Sequence, residues 1–140
     1  MRRFVIDTNC LLAILPSRSP YHNVWEKFLE GEVELCVSNE ILMEYEEIVS
    51  LKTSSYFADI IIKAILNRQN VVRVFPTWRF NLIAQDPDDN KFVDCAIAGQ
   101  SELLVSNDKH FNVLSNIDFP AVKVLTIQEF SKRLVKAKKM

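Results

Sequence analysis

Apolar residues come along this chain in two alternating rhythms. Short, mainly apolar runs at residues 4–6, 33–37, 71–75, 103–106 and 122–125 read as strands, the first of them continuous as in a parallel strand covered on both faces. Longer stretches between them carry apolar positions at helical spacing. One helix is expected over 20–29, with Val24, Phe28 and Leu29 on one face, Trp25 beside them and Gly31 at its C-terminal cap. A second runs from Glu40 to about Leu51, capped by Ser38 or Asn39, with the stripe Ile41, Leu42, Tyr45, Ile48 and Val49. A third, strongly apolar, covers 56–67. A fourth starts at Asp86-Pro87-Asp88-Asp89 and runs through Gly99. Pro87 suits its first helical position, Asp86 with Asp89 approximates a capping box, and the inward stripe is Phe92, Val93, Ala96 and Ile97. Thr126-Ile127-Gln128-Glu129 is a full capping box for a last helix. Helical turns are expected at 10–15 and 110–114, and 77–85 reads as irregular or weakly helical. Strands alternating with helices predict a single α/β domain, residues 1–140, with a parallel sheet and right-handed crossovers.

Composition narrows the chemistry. Hydrophobic content of 49% and charged content of 25% are ordinary globular values. With only two glycines, neither G-x-x-x-x-G-K-[ST] nor G-x-G-x-x-G can be written, so phosphate loops of those kinds are excluded. Cys10, Cys36 and Cys95 form no C-x-x-C pair, and each reads as a small buried hydrophobe. Asp7 interrupts the only stretch that could begin a signal peptide, and no run reaches the ~18 apolar residues of a membrane span. A soluble cytoplasmic protein is expected. The net charge of −1 carries no global nucleic-acid signature. Any nucleic-acid binding would need a local patch, and the charges that could make one are Arg2, Arg3, Lys91, Lys109 and the tail Lys132, Arg133, Lys136, Lys138 and Lys139.

The acids then sort by position. An open α/β sheet carries its functional groups just beyond the carboxyl ends of its strands. Asp7 and Asp108 both follow predicted strands there, although Ser-Asn-Asp-Lys is also good turn chemistry. Asp89 continues the apolar stripe of its helix at the N-terminus, the end that meets the strand ends. Its competitor Asp94 lies roughly 130° from the centre of that stripe. Glu44 sits on one margin of the stripe of the helix over 40–51 and Glu46 on the other. Carboxylates about 5 Å apart at an effective dielectric near 20 repel by roughly 3 kcal/mol per pair, so converging acids require a cation or a proton among them. Oxygen ligands without Cys or His point to Mg²⁺ or Mn²⁺, suited to water activation and to charge on a phosphoryl group. Thr8, Asn9, Ser106 and Asn107 are small polar neighbours placed to orient those carboxylates. His22 and His110 read as capping or surface residues, with His110 near enough to Asp108 to touch an RNA phosphate.

At these residues the sequence resembles the PIN-domain ribonucleases, and most of all the bacterial and archaeal members related to VapC, toxin components of toxin–antitoxin pairs. The matching pieces are Val5-Ile6-Asp7-Thr8-Asn9, Ser38-Asn39-Glu40-Ile41-Leu42-Met43-Glu44-Tyr45, Asp86-Pro87-Asp88-Asp89-Asn90-Lys91-Phe92-Val93-Asp94-Cys95-Ala96 and Leu104-Val105-Ser106-Asn107-Asp108-Lys109-His110-Phe111. The resemblance implies a three-layer α/β/α sandwich around a mainly parallel five-stranded sheet. It implies a Mg²⁺- or Mn²⁺-dependent endoribonuclease that cleaves single-stranded RNA, with Asp7, Glu44, Asp89 and Asp108 both catalytic and metal-binding. It prefers Glu44 over Glu46 and assigns Asn9 and Ser106 to support the first and last acids. Between Asp89 and Asp94 as third acid the helical face favours Asp89. A cognate antitoxin and a homodimer are the partners it implies. Haloacid-dehalogenase phosphatases need a second aspartate where this chain has Asn9, and response-regulator receivers need one where it has Pro76-Thr77. The remaining alternative is a non-catalytic PIN-like module that binds RNA or protein, against which the full set of acids argues.

Overall fold

The computed structural model describes residues 2–84, 86–101, 103–118 and 121–139, without the side chains of 136–139. The side chains of Lys136, Lys138 and Lys139 in the basic tail, and position 85 of the stretch read as irregular or weakly helical, therefore lie outside what is described. Five strands form, β1 (Arg2–Ile6), β2 (Val33–Val37), β3 (Val71–Arg73), β4 (Leu103–Val105) and β5 (Lys123–Leu125). They make one sheet in the order β3-β2-β1-β4-β5, with every neighbouring pair parallel. Six α-helices connect or follow them: α1 (Thr8–Ile14), α2 (His22–Leu29), α3 (Asn39–Lys52), α4 (Ser55–Leu66), α5 (Asn90–Ala98) and α6 (Ile127–Lys139). The expected parallel α/β/α arrangement is what the chain adopts.

Register explains the layers. Phe4 pairs with Leu35 and Leu103, so Val5 and Cys36 fall on the opposite face from Phe4 and Leu35. On one face Phe130 of α6 packs on Phe4 with ring centroids 4.8 Å apart. On the other, Cys95 of α5 brings its sulfur within 3.7 Å of that of Cys36. Both cysteines are buried, as small hydrophobes should be. Gly99 ends α5 against this pair, and a Cβ there would meet the Cys36 sulfur at 2.2 Å, so no larger residue fits without displacing it. Tyr45, fully buried, donates its hydroxyl to the Ile6 carbonyl and ties α3 to the last residue of β1.

Local chemistry sets the element ends. Ser38 caps α3 by accepting the Ile41 N–H, and Ser54 caps α4 by accepting that of Phe57. The Thr126–Glu129 capping box closes on both sides at 3.0 and 3.1 Å. Two expectations change. Asp86-Pro87-Asp88-Asp89 does not open α5 directly: Pro87–Asp89 forms a single 3₁₀ turn, with Asp86 accepting the Asp88 N–H. β3 ends at Arg73, and the segment over 74–84 is neither helix nor strand. Among the described residues no helix is long and apolar enough to cross a membrane.

Candidate active site

The strand order turns around β1, with β2 on one side and β4 on the other. A crevice opens beyond the carboxyl ends at such a switch point. Asp7 stands there, its N–H donating to the Val105 carbonyl of β4 at 3.0 Å. It is also the N-cap of α1, where one carboxylate oxygen accepts the Cys10 N–H at 2.8 Å. The other oxygen accepts the Ser106 hydroxyl, and that hydroxyl oxygen accepts the Asp108 N–H at 3.0 Å. One buried serine thus links the first and last acids. Burial pushes the Asp7 carboxyl above its ordinary value, against the Ser106 and Cys10 hydrogen bonds that pull it down. A pocket of about 270 Å³ opens beside it, lined by Asp7, Asn9, Cys10, Ala13, Asn107 and Asp108.

Asp89 reaches the same edge from the 3₁₀ turn before α5. Its Oδ2 lies 3.4 Å from His110 Nδ1, and that nitrogen lies equally far from Asp108 Oδ1. His110 is fixed by its own N–H, which donates to Asp108 Oδ1 at 2.9 Å. The sequence offered this histidine a capping or surface role close to Asp108; the fold leaves it partly exposed and sets its ring between Asp108 and Asp89. Asp86 joins them, because ligand atoms of Asp86, Asp89 and His110 lie within 4.8 Å of one another. Burial, followed by the charge of Asp86, pushes the Asp89 carboxyl up to about 6, with the His110 hydrogen bond working the other way.

Glu44 comes to this end of the sheet from α3. One oxygen accepts the hydroxyl of Thr8, the neighbour of Asp7, and the other lies 2.6 Å from Lys91 Nζ. Glu46 is exposed, so the margin of the α3 stripe nearer the sheet belongs to Glu44. Lys91 was expected on an RNA-facing rim. Instead its side chain is only 14% exposed and belongs to the acidic edge. Neither Lys91 nor His110 shows in periodicity, because each meets its acids across elements. The one available signal is their placement two residues after Asp89 and Asp108.

Asp94 is not brought to this cluster. It is 2% exposed, and its Oδ1 accepts the Phe80 N–H at 3.2 Å. The angular argument put it away from the sheet, and the reason it is nonetheless buried is that residues 74–84 cover that side of α5. Burial pushes its carboxyl up as well. Asn107 turns its amide oxygen to the Ile127 N–H at 3.0 Å, serving the start of α6 rather than an acid. Asn9 is exposed at the pocket rim. His22 caps α1, its ring lying 2.9 Å from the Ile14 carbonyl.

The donor set fits a hard divalent cation: carboxylate oxygens held by Ser106, Cys10 and Thr8, with one imidazole in reach, a combination that Mn²⁺ accepts along with oxygen. The raised Asp89 carboxyl makes such binding pH-dependent. Between the unfolded value of 3.8 and about 6 the folded chain holds a proton that the unfolded chain has released. Metal-free stability therefore falls as pH rises through that window. A bound cation needs the proton gone, so its affinity rises over the same range. Thermal melts should show a larger Mn²⁺-induced gain at pH 7 than at pH 5, with the difference reduced in Asp89→Asn. A gain equal at both pH values would remove Asp89 from the metal site.

Among solved structures the chain is similar to VapBC2 from Rickettsia felis bound to a promoter DNA fragment, at TM-score 0.60 and 18% identity, covering 89% of this chain and 98% of that one. It is similar to DNA-bound VapBC from Salmonella typhimurium at 0.58 and 18%, covering 91% and 99%. It also resembles the PIN domain endonuclease Utp24 at 0.50 and 17%, covering 89% and 84%. At these identities the likeness concerns the fold. No protein of curated function matches the chain in sequence. The sequence model of the PIN domain, however, matches residues 3–110, a span that holds the switch point and every acid gathered there, and the chain belongs to the PIN-domain family.

Proposed function

We propose that the protein is a Mg²⁺- or Mn²⁺-dependent endoribonuclease that hydrolyses phosphodiester bonds of single-stranded RNA. What supports this reading is that acids from separated parts of the chain stand near the carboxyl ends of the strands, with Asp86, Asp89 and His110 the one group among the described residues whose ligand atoms come within 4.8 Å of one another. Asp7 and Asp108 are joined there through Ser106, Asp108 and Asp89 through His110, and Glu44 to the Asp7 neighbour Thr8. Asp7, Glu44, Asp89 and Asp108 would hold the cation, with Asp86 and His110 at its margin. When bound, it supplies positive charge for a phosphoryl group and lowers the pKa of an attacking water. The chain's own residues do the rest. Ser106 and the Cys10 amide fix both Asp7 oxygens. Thr8 and Lys91 fix those of Glu44. His110 Nδ1 stands 3.4 Å from both Asp89 and Asp108 and can hydrogen-bond the Asp89 carboxylate.

The VapBC likenesses support a toxin partnered by an antitoxin protein, and a homodimer is part of the same reading. The direct test incubates the purified protein with a single-stranded RNA, in Mg²⁺ or Mn²⁺ and in EDTA. Cleavage is expected only with the cation. RNA binding without cleavage under either metal would replace the nuclease with a binding module.

A further inference from the structure

Residues 74–84 form no regular element, yet the fold grips them at several points. The Val74 N–H donates to the Val37 carbonyl at 2.9 Å, the Phe80 N–H to Asp94 at 3.2 Å, and Arg79 pairs with Glu40 at 2.7 Å. Both backbone groups of Ile83 bond the side-chain amide of Asn90, at 2.8 and 3.0 Å, and the Ile83 side chain is buried in the core. Asn90 and Asp94 are themselves 8% and 2% exposed. Burying a carboxylate and an amide is unfavourable unless they are hydrogen-bonded, and α5 uses both to fix an irregular segment. What that segment presents to solvent is Phe75 at 67% exposure and Trp78 at 69%. The Trp78 ring leans on Phe80 with centroids 6.2 Å apart. A braced loop that holds two aromatic rings in water presents faces on which a flat partner can stack.

Its position says what it contacts. Glu40, the partner of Arg79, precedes Glu44 by one turn of α3, about 6 Å along the axis. Asp94 follows Lys91 by three residues on α5, so the segment borders the Glu44–Lys91 end of the acidic edge. Arg73 and Arg79, both exposed, flank the aromatics. We propose that Phe75 and Trp78 stack unpaired bases of an RNA strand while Arg73 and Arg79 take its phosphates, so that the strand enters the acidic edge past Glu44. The inference rests on the nuclease reading. Stacking on an aromatic face tolerates any base and works without a basic protein overall, which suits a chain of net charge −1. A protein partner has a better surface elsewhere: Met43 and Leu51 on α3 with Tyr56 and Ile60 on α4 are exposed and mostly aliphatic.

The test uses full-length Asp7→Asn protein, so that RNA stays intact, titrated with a short oligouridylate while tryptophan emission is read. Trp25 is 8% exposed against Phe28 and provides a constant background. Trp78 emission should be quenched at saturation. Trp78→Ala should weaken binding about tenfold and Trp78→Phe about threefold or less, with Mn²⁺ affinity unchanged in both. Binding without quenching, or Trp78→Ala within about twofold of its parent, overturns the platform. So does a Trp78→Ala protein that loses a cognate partner protein but keeps RNA affinity. Cleavage by the wild-type chain with no Trp78 dependence of binding sinks the platform and leaves the nuclease standing. Quenching with Trp78 dependence, but no cleavage by wild type, does the reverse.

Discussion

Replacing Asp7 with asparagine should lower RNA cleavage by about a thousandfold or more while leaving the fold intact. The two halves of this expectation have separate causes. Asp7 is 7% exposed, directly follows β1 at the switch point and is joined through Ser106 to Asp108, so its charge lies where a cation and a phosphoryl group would meet. An amide there cannot supply that charge. For stability the substitution is mild. Asparagine is as good an N-cap as aspartate, and its oxygen can still accept the Cys10 N–H at the 2.8 Å contact. Ser106 can accept from the new amide group in place of donating. Burial already disfavours the Asp7 anion, and the nearby charge of Asp108 adds to this, so removing the charge relieves the metal-free protein. Thermal melting in EDTA should therefore lie within about 2 °C of wild type or above it. If cleavage survives within about tenfold, Asp7 is a cap and not part of the reaction centre. If melting collapses together with activity, its role is structural.

The parts of this site that could be read from sequence are those fixed by local rules. A buried strand that runs into Asp7, and another into Ser106-Asn107-Asp108, put acids at one edge once all strands are parallel. The apolar face of α5 pointed to Asp89 through helical angle alone. The same angle set Asp94 off the sheet-facing stripe, where it stands; its burial comes from residues 74–84, a second neighbour of α5 that helical angle does not report. Lys91 and His110 escaped for a related reason: their partners, Glu44 and Asp89, lie on other elements, at sequence separations of 47 and 21. The basic residues show how strand direction divides charge. Arg2, Arg3 and Lys123 sit at strand starts and meet Arg133 around a cavity of about 770 Å³ at the amino end of the sheet, away from the acids. A patch assembled from sequence proximity alone would have mixed that group with Lys91.

Lys91→Met should destabilise the metal-free protein by about 1–2 kcal/mol, between the worth of an exposed ion pair and that of a fully buried one. Lys91 Nζ lies 2.6 Å from Glu44, with side chains 14% and 24% exposed. Asp88, 3.8 Å away, is 87% exposed and contributes little. Burial works against the charge on Lys91, but the hydrogen bond and charge of Glu44 outweigh it and hold the lysine above its ordinary pKa. The norleucine-like side chain of methionine keeps the packing beside Phe92 and removes only the cation. Glu44 is then left with Thr8 as its sole described donor. A divalent ion at that edge would take over the role of the missing ammonium. Saturating Mn²⁺ should therefore restore more stability to the variant than it adds to wild type, and Mn²⁺ affinity should rise because no resident cation competes for Glu44. The check is a pair of melting curves, with and without Mn²⁺, for wild type, Lys91→Met, Glu44→Gln and the double variant. In that cycle the coupling between Lys91 and Glu44 should be large in EDTA and shrink when Mn²⁺ is bound. A deficit that is the same in both conditions would reduce Lys91 to a packing residue and separate Glu44 from the metal.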